Sequence, residues 1–179
     1  PLMCVLLTDQ LPHLKRWNRA RAANRELFVR LCSDLPFLHF PVYARHEEPA
    51  YHMTTFRYDQ ETAQGVSRAA FAHAVCEEGV YCNCYVPSPI PLWRRMHPER
   101  CREFPPMWTP SLRRARVRYR PGMWPVAERL CSHTALEITF NHFTTYDPKL
   151  MRQLADALHK VGDHLDELRR WELTRGRRS

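Results

Sequence analysis

Nine prolines fall between Pro87 and Pro125, and they constrain the fold of this chain more than any other feature. Proline has no N–H to donate and its ring clashes with the preceding helical turn, so no long helix or central strand crosses that stretch intact. A connection of this length in a compact domain is usually functional or disordered. Within it, SLRRARVRYR at 111–120 reads as a short edge strand. PVAERLCSH at 125–133 opens on a proline and reads as a short helix.

Regular structure is therefore confined to the two flanks. Leu11, Leu14, Trp17, Asn24, Leu27, Phe28 and Leu31 recur at helical spacing and predict an amphipathic helix from about Asp9 to about Cys32, with Pro12 in its first turn. Pro36 and Pro41 mark a connector running to about Pro49. YHMTTFRY at 51–58 is β-branched and aromatic, a strand. A second helix carries Val66, Ala70, Phe71, Ala74 and Val75 and ends at Gly79. VYCNCYV at 80–86 alternates, with Val80, Cys82, Cys84 and Val86 on one face, and ALEITF at 135–140 alternates again. Asp147-Pro148 is a helix start, and Leu150, Leu154, Leu158, Val161, Leu165 and Leu168 form the strongest apolar stripe in the chain. The fold class is α+β: a small, mostly antiparallel sheet of about three strands flanked by helices on one side.

At 179 residues and 21.3 kDa the chain has the size of one domain. Hydrophobic residues make up 44% and charged residues 26%, which excludes wholesale disorder. No apolar run approaches the roughly 18–20 residues that span a bilayer, and PLMCVLLTDQ lacks the basic start of a secretory signal. Seven cysteines at irregular spacings read as free thiols in a reducing cytoplasm. Residue 1 is Pro rather than Met, which leaves open a processed or incomplete chain. The net charge of +8 invites a nucleic-acid reading, but half of it sits in residues 169–179.

Catalytic signatures are missing. There is no HExxH, no G-x-S-x-G and no glycine-rich phosphate cradle, and only five glycines in all. Cys82-x-Cys84 with Cys76, Cys101 or a nearby histidine could supply four zinc ligands, but a pair inside an alternating strand reads as small buried hydrophobes, so no metal is expected. Arg114, Arg116, Arg118 and Arg120 would line one face of a strand; a charged edge that resists aggregation accounts for them, as phosphate recognition also would. YVPSPIPLWRRMHP at 85–98 differs in kind, because Tyr85, Trp93 and His97 sit on a proline-stiffened loop directly after a strand, a common place for substrate contacts.

An ordered set of segments resembles the C-terminal small domain of the DegT/DnrJ/StrS family of pyridoxal-phosphate-dependent sugar aminotransferases. Gln10-Leu11-Pro12 with Arg16, Arg19 and Asn24 is similar to that domain's long first helix, and Ala50-Tyr51-His52 to the start of its strand. Ser67-Arg68 through Phe71, Glu78-Gly79-Val80, the loop YVPSPIPLW, Pro125-Val126-Ala127-Glu128, and Ile138-Thr139-Phe140-Asn141-His142 follow in the same order. The family usually has Pro-Leu-His where this chain has Pro91-Leu92-Trp93. The resemblance implies segments 1–33 (long helix leading into the domain), 34–170 (α+β small domain) and 171–179 (basic tail). It implies a keto-sugar or keto-cyclitol acceptor, an amino-acid donor such as glutamate or glutamine, a cytoplasmic homodimer, and substrate contacts from Tyr85, Trp93, His97, Asn141 and His142.

The family's large domain, with its Schiff-base lysine and its sites for pyridoxal phosphate, has no counterpart in these residues. The expectation is therefore an inactive fragment, with no catalytic or cofactor-binding residue of its own. Two other readings stay open: a non-catalytic partner subunit derived from such an enzyme, and an α+β nucleic-acid-binding module using the Arg113–Arg120 run.

Overall fold

The computed structural model describes residues 2–44, 46–97, 114, 118–140 and 142–175. They divide into two compact units, residues 1–83 with 136–179, and residues 84–135.

In the first unit the opening helix starts earlier than its stripe suggests. Helix α1 (Leu2–Gln10) runs through a 3₁₀ turn, Leu11–His13, into α2 (Leu14–Leu31). Pro12 thus sits in the joint between two helices rather than in a first turn. The tighter turn suits a residue that cannot donate to the preceding turn. Only the second half of α2 is buried, through Asn24, Arg25, Leu27 and Phe28.

Among the described residues four strands are present where about three were expected, ordered β1-β2-β4-β3. The additional one is β1 (Leu38–His39), two residues inside the proline-bounded connector, antiparallel to β2 (Met53–Tyr58) with Leu38 opposite Tyr58. A two-residue strand carries no detectable periodicity, so no spacing of residues announces it. β2 begins at Met53 rather than residue 51, because Tyr51 adopts a positive φ of 48°. β3 shrinks to Cys82–Asn83 and pairs antiparallel with β4 (Ala135–Thr139), Cys82 opposite Ile138. The apolar alternation beyond Asn83 is not strand pairing.

One face of the sheet is covered. Thr54, Phe56 and Tyr58 of β2 and Leu136 and Ile138 of β4 are buried, while Thr55 and Arg57 are exposed. Helix α3 (Arg68–Glu77) begins where Ser67 accepts a hydrogen bond from the Ala70 N–H at 3.1 Å, and Gly79 follows it at φ 86°. Val66 is buried ahead of that cap rather than inside the helix. The closing helix also breaks in two at His164, into α5 (Pro148–Asp163) and α6 (Leu165–Arg175). Asp147 caps α5 as expected, accepting from the Leu150 N–H at 2.9 Å. Trp171 of α6 lies 5.3 Å from the His73 ring, and Glu172 accepts from the Ser67 N–H at 3.0 Å, so the helix is anchored beyond residue 170.

Aromatic packing dominates this core. Phe28 meets Phe40 and Phe140, each at 5.8 Å, and Tyr58 stacks on Phe71 at 4.9 Å, with Phe37 edge-on to both. Asn24, fully buried, joins α2 to the start of α5: its Nδ2 donates to the Thr145 carbonyl at 2.7 Å and its Oδ1 accepts from the Asp147 N–H at 2.9 Å. Gly162 admits Phe37, since a Cβ there would stand 3.1 Å from the Phe37 ring.

The second unit carries two 3₁₀ turns, Ile90–Leu92 and Arg94–Met96, and the helix α4 (Pro125–Arg129), which continues as a π turn over Leu130–Thr134. The expected helix 125–133 is thus α-helical only in its first part. The edge strand expected at 111–120 lies mostly outside the described residues; Arg118, Tyr119 and Arg120 are irregular.

Candidate functional site

The second unit holds three of the five nominated residues on one loop. Tyr85 is two-thirds exposed. Trp93 stands between the two 3₁₀ turns, the first of which Pro89 and Pro91 start by fixing φ where a missing N–H is tolerated. Its indole N–H donates to the Ser88 carbonyl at 2.8 Å, which tethers the ring while leaving it 40% exposed. His97 follows one turn later, its N–H donating to the Arg94 carbonyl at 3.1 Å. The His97 side chain is only 7% exposed and meets the Tyr119 ring edge-on at 6.4 Å. Tyr119 in turn lies 5.7 Å from Trp124.

This arrangement separates the roles open to the three. Tyr85 and Trp93 present exposed aromatic surface of the kind that packs on sugar rings; Tyr85 adds a phenolic hydroxyl, whereas the Trp93 N–H is taken by Ser88. His97 is packed inside its unit, so it belongs to the framework of the loop before it belongs to a ligand surface. His142 lies in the first unit, exposed, its ring 4.3 Å from Phe143. Asn141 lies outside the described residues.

Two features of the second unit escaped the sequence reading. The first is the run of rings His97–Tyr119–Trp124, whose first and last members are 27 residues apart in sequence and which share no periodic pattern. The second is Glu128, quoted above only as part of a P-x-A-E resemblance. Its carboxylate accepts from the Gly122 N–H with both oxygens at 2.9 Å and from the Trp124 N–H at 3.0 Å. A glutamate in the first turn of a proline-started helix, following a glycine, is the local signal that announces such a cap.

The two buried thiols, Cys32 and Cys82, are unsuited to nucleophilic chemistry. Burial, helped by Cys76 and Glu137 nearby, pushes the Cys82 thiol up to about 12. Burial, with Asp34 adding to it, does the same to Cys32, also to about 12. Both are protonated at neutral pH, and the thiolate is the reactive form. Cys76 Sγ donates to the Cys82 carbonyl at 3.2 Å and Cys84 Sγ to that of Cys131 at 3.2 Å, so these cysteines serve local packing.

The first unit offers an open groove of about 850 Å³ between α3, α5 and α6, lined by His73, Glu77, Lys160, His164, Glu167 and Trp171 among others. Its ionisable groups already answer one another: Lys160 pairs with Glu78 at 2.7 Å and His164 with Glu167 at 3.2 Å.

No protein-family profile matches this chain, and no curated protein does. Solved structures do. DesV of S. venezuelae, solved in complex with a ketimine intermediate, superposes with a TM-score of 0.61 over 88% of this chain at 21% identity. DesI, solved in the presence of its TDP-sugar product, superposes with a TM-score of 0.57 over 96% of this chain at 20% identity. The fold is shared. This chain spans only about a third of either protein, 35% of DesV and 36% of DesI.

The residues present do not fit pyridoxal phosphate. Imine formation needs a lysine amine in a protected site, and the phosphate needs a cradle of backbone N–H groups. Lys15, Lys149 and Lys160 are all exposed on helices, and Lys160 is committed to Glu78. Among the described residues, then, no lysine is placed for that chemistry. No described helix is long and apolar enough to cross a membrane.

Proposed function

We propose that this chain is the C-terminal part of a pyridoxal-phosphate-dependent aminotransferase that delivers an amino group to a keto-sugar or keto-cyclitol. The observation that carries the reading is the shared fold with DesV and DesI over nearly the whole of this chain, but over only a third of theirs. The ketimine in one and the sugar-nucleotide product in the other are what amino transfer to a keto-sugar involves, and the ordered motifs of the sequence point the same way.

A physical feature of the chain supports it. Leu2, Met3, Val5, Leu6 and Leu7 of α1 are all at least half exposed, as is Leu11 in the joint, and α1 buries no residue. A helix that is apolar all round belongs in the interior of a larger protein. Stripping roughly 100 Å² or more of such surface from water is worth a few kcal/mol at about 25 cal/mol per Å². In this reading α1 and the front of α2 pack against the cofactor-bearing part of the enzyme or against a second subunit.

The chain's own contribution is the acceptor side. Tyr85 and Trp93 would contact the sugar ring, while the amine chemistry takes place on residues outside this chain. By itself the chain moves no amino group.

The test is to isolate the native polypeptide that carries these residues, weigh it, and assay amino transfer to a nucleotide-linked keto-sugar. A larger species that catalyses the transfer is expected. In it, Trp93→Ala should raise KM for the keto acceptor and leave KM for the amino donor unchanged. A product of 21.3 kDa that purifies without a larger partner and transfers no amino group overturns the reading. Unchanged kinetics in Trp93→Ala removes the loop from the site.

A further inference from the structure

Glu128 and Trp124 hold one another from both directions. The Glu128 carboxylate accepts from the Trp124 N–H at 3.0 Å, and the Glu128 N–H donates to the Trp124 carbonyl at 2.8 Å. The same carboxylate gathers the Gly122 N–H, at a residue whose φ of 89° turns the chain sharply ahead of Trp124. Both amide groups of the Trp124 backbone are therefore fixed by one residue. From Trp124 the contacts run outward through aromatic rings: 5.7 Å to Tyr119, then 6.4 Å to His97, which is 7% exposed and ends the turn after Trp93.

We infer that Glu128 is a positioning residue for the loop 85–97, acting through Trp124 and Tyr119 on His97. A carboxylate bonded to main-chain N–H groups makes stronger, shorter-ranged restraints than neutral acceptors do. Ring-to-ring contacts at these separations then pass the placement on as packing. For its effect on catalysis the inference rests on the proposed acceptor site; for its effect on the loop it rests on the contacts alone.

The chemistry of the cap supplies a discriminating pair of variants. Oε1 alone reaches both the Gly122 and the Trp124 N–H groups. Glu128→Gln keeps a carbonyl oxygen able to occupy that position, whereas Glu128→Ala leaves both N–H groups without it. The readout is the His97 ring resonances in a carbon-13 correlation spectrum of the 179-residue chain, because the edge-on Tyr119 ring shifts them. Glu128→Ala should move them in the direction that Tyr119→Leu does, and Glu128→Gln should leave them close to the parent positions. Trp124→Leu keeps the carboxylate but breaks the route, and should also displace His97.

His97 resonances unmoved in Glu128→Ala, with core methyl signals intact, would overturn the inference and leave Glu128 as a local helix cap. Displacement by Glu128→Ala but not by Trp124→Leu would overturn the route. In the aminotransferase that contains these residues, Glu128→Ala should raise KM for the keto acceptor about tenfold with little change in kcat, and Glu128→Gln should restore it. Displaced His97 signals with an unchanged acceptor KM would keep Glu128 as the organiser of the loop while removing the loop from the acceptor site.

Discussion

The two units of this chain are held together by different physics. The first is an apolar core in the ordinary sense: its cluster of buried residues runs from Leu27 to Leu165. The second is held by prolines, by side chains bonded to main-chain groups, and by a short run of rings. Its restraints are the Trp93 indole on the Ser88 carbonyl, the Glu128 carboxylate on two N–H groups, and the Cys84 thiol on the Cys131 carbonyl. A core distributes stability over many contacts, so that its members open together. A set of local bonds opens piecemeal. The difference suits a division of labour in which one unit is scaffold and the other presents side chains to a substrate.

The largest expected effect comes from attacking the scaffold. Phe28 is fully buried between Phe40 and Phe140, and Phe28→Ala should cost about 3–5 kcal/mol by lost burial and the cavity left behind. Urea unfolding measures the loss. Hydrogen exchange sharpens the comparison, because amides of Phe56 and Ile138 should speed up with the global loss while those of Leu92 and Trp93 should hardly change. Equal acceleration in both units would mean that they unfold as one, and the contrast would fail.

A smaller effect is expected from Asn24→Ala, about 2 kcal/mol, because two hydrogen bonds of one buried amide, each worth about 1 kcal/mol, are lost together. The Thr145 carbonyl and the Asp147 N–H both depend on that one amide, and Asp147 in turn caps α5. Asn24→Asp tests the mechanism. It retains the acceptor for Asp147 but offers no donor to Thr145, and so should recover only part of the loss in urea unfolding. Full recovery would show that the Thr145 bond contributes nothing.

This division also explains what could be read in the sequence. The stripe from Leu150 to Leu168, the alternation at 135–139 and the cap at Asp147 were legible because each expresses a local rule: a helical period, a strand period, or a side chain facing its own backbone. The break at His164 and the two-residue strand at Leu38 express no period and were invisible. At Leu11 and Leu14 the helical spacing was plain, but its meaning was not, since both side chains stay exposed. The loop 85–97 was nominated from its prolines and aromatics alone. That gave its location, but the partners that seat it, Tyr119 and Trp124, come from the far side of the proline-rich stretch. Which side chain answers which across such a distance is a property of the fold, and no spacing encodes it.

The smallest expected effect concerns a polar clasp within the scaffold. His159 on α5 has both ring nitrogens facing acceptors: Nδ1 is 2.8 Å from the Ala155 carbonyl and Nε2 is 2.9 Å from the Asp34 carboxylate, just past α2. Only the imidazolium can donate to both. Partial burial works against the cation, but the Ala155 carbonyl and Asp34 outweigh it and hold the His159 pKa above its ordinary value. The hydrogen bond from His159 holds the Asp34 carboxyl below its own ordinary value. A raised histidine pKa contributes stability that is fully present below the unfolded value, about 6.5, and is lost as pH rises through the folded one. The lowered Asp34 pKa contributes above the unfolded carboxylate value, about 3.9, and is lost as pH falls through the folded one. The clasp should therefore stabilise most between roughly pH 4 and 6.5 and fade on either side. Because Asp34 is exposed, the effect is a small curvature in stability against pH rather than a transition. His159→Gln should remove that curvature, and Asp34→Asn should remove its acidic arm. A profile unchanged by His159→Gln would show that the imidazole is neutral in the folded chain and that Asp34 takes no proton-linked part in joining α2 to α5.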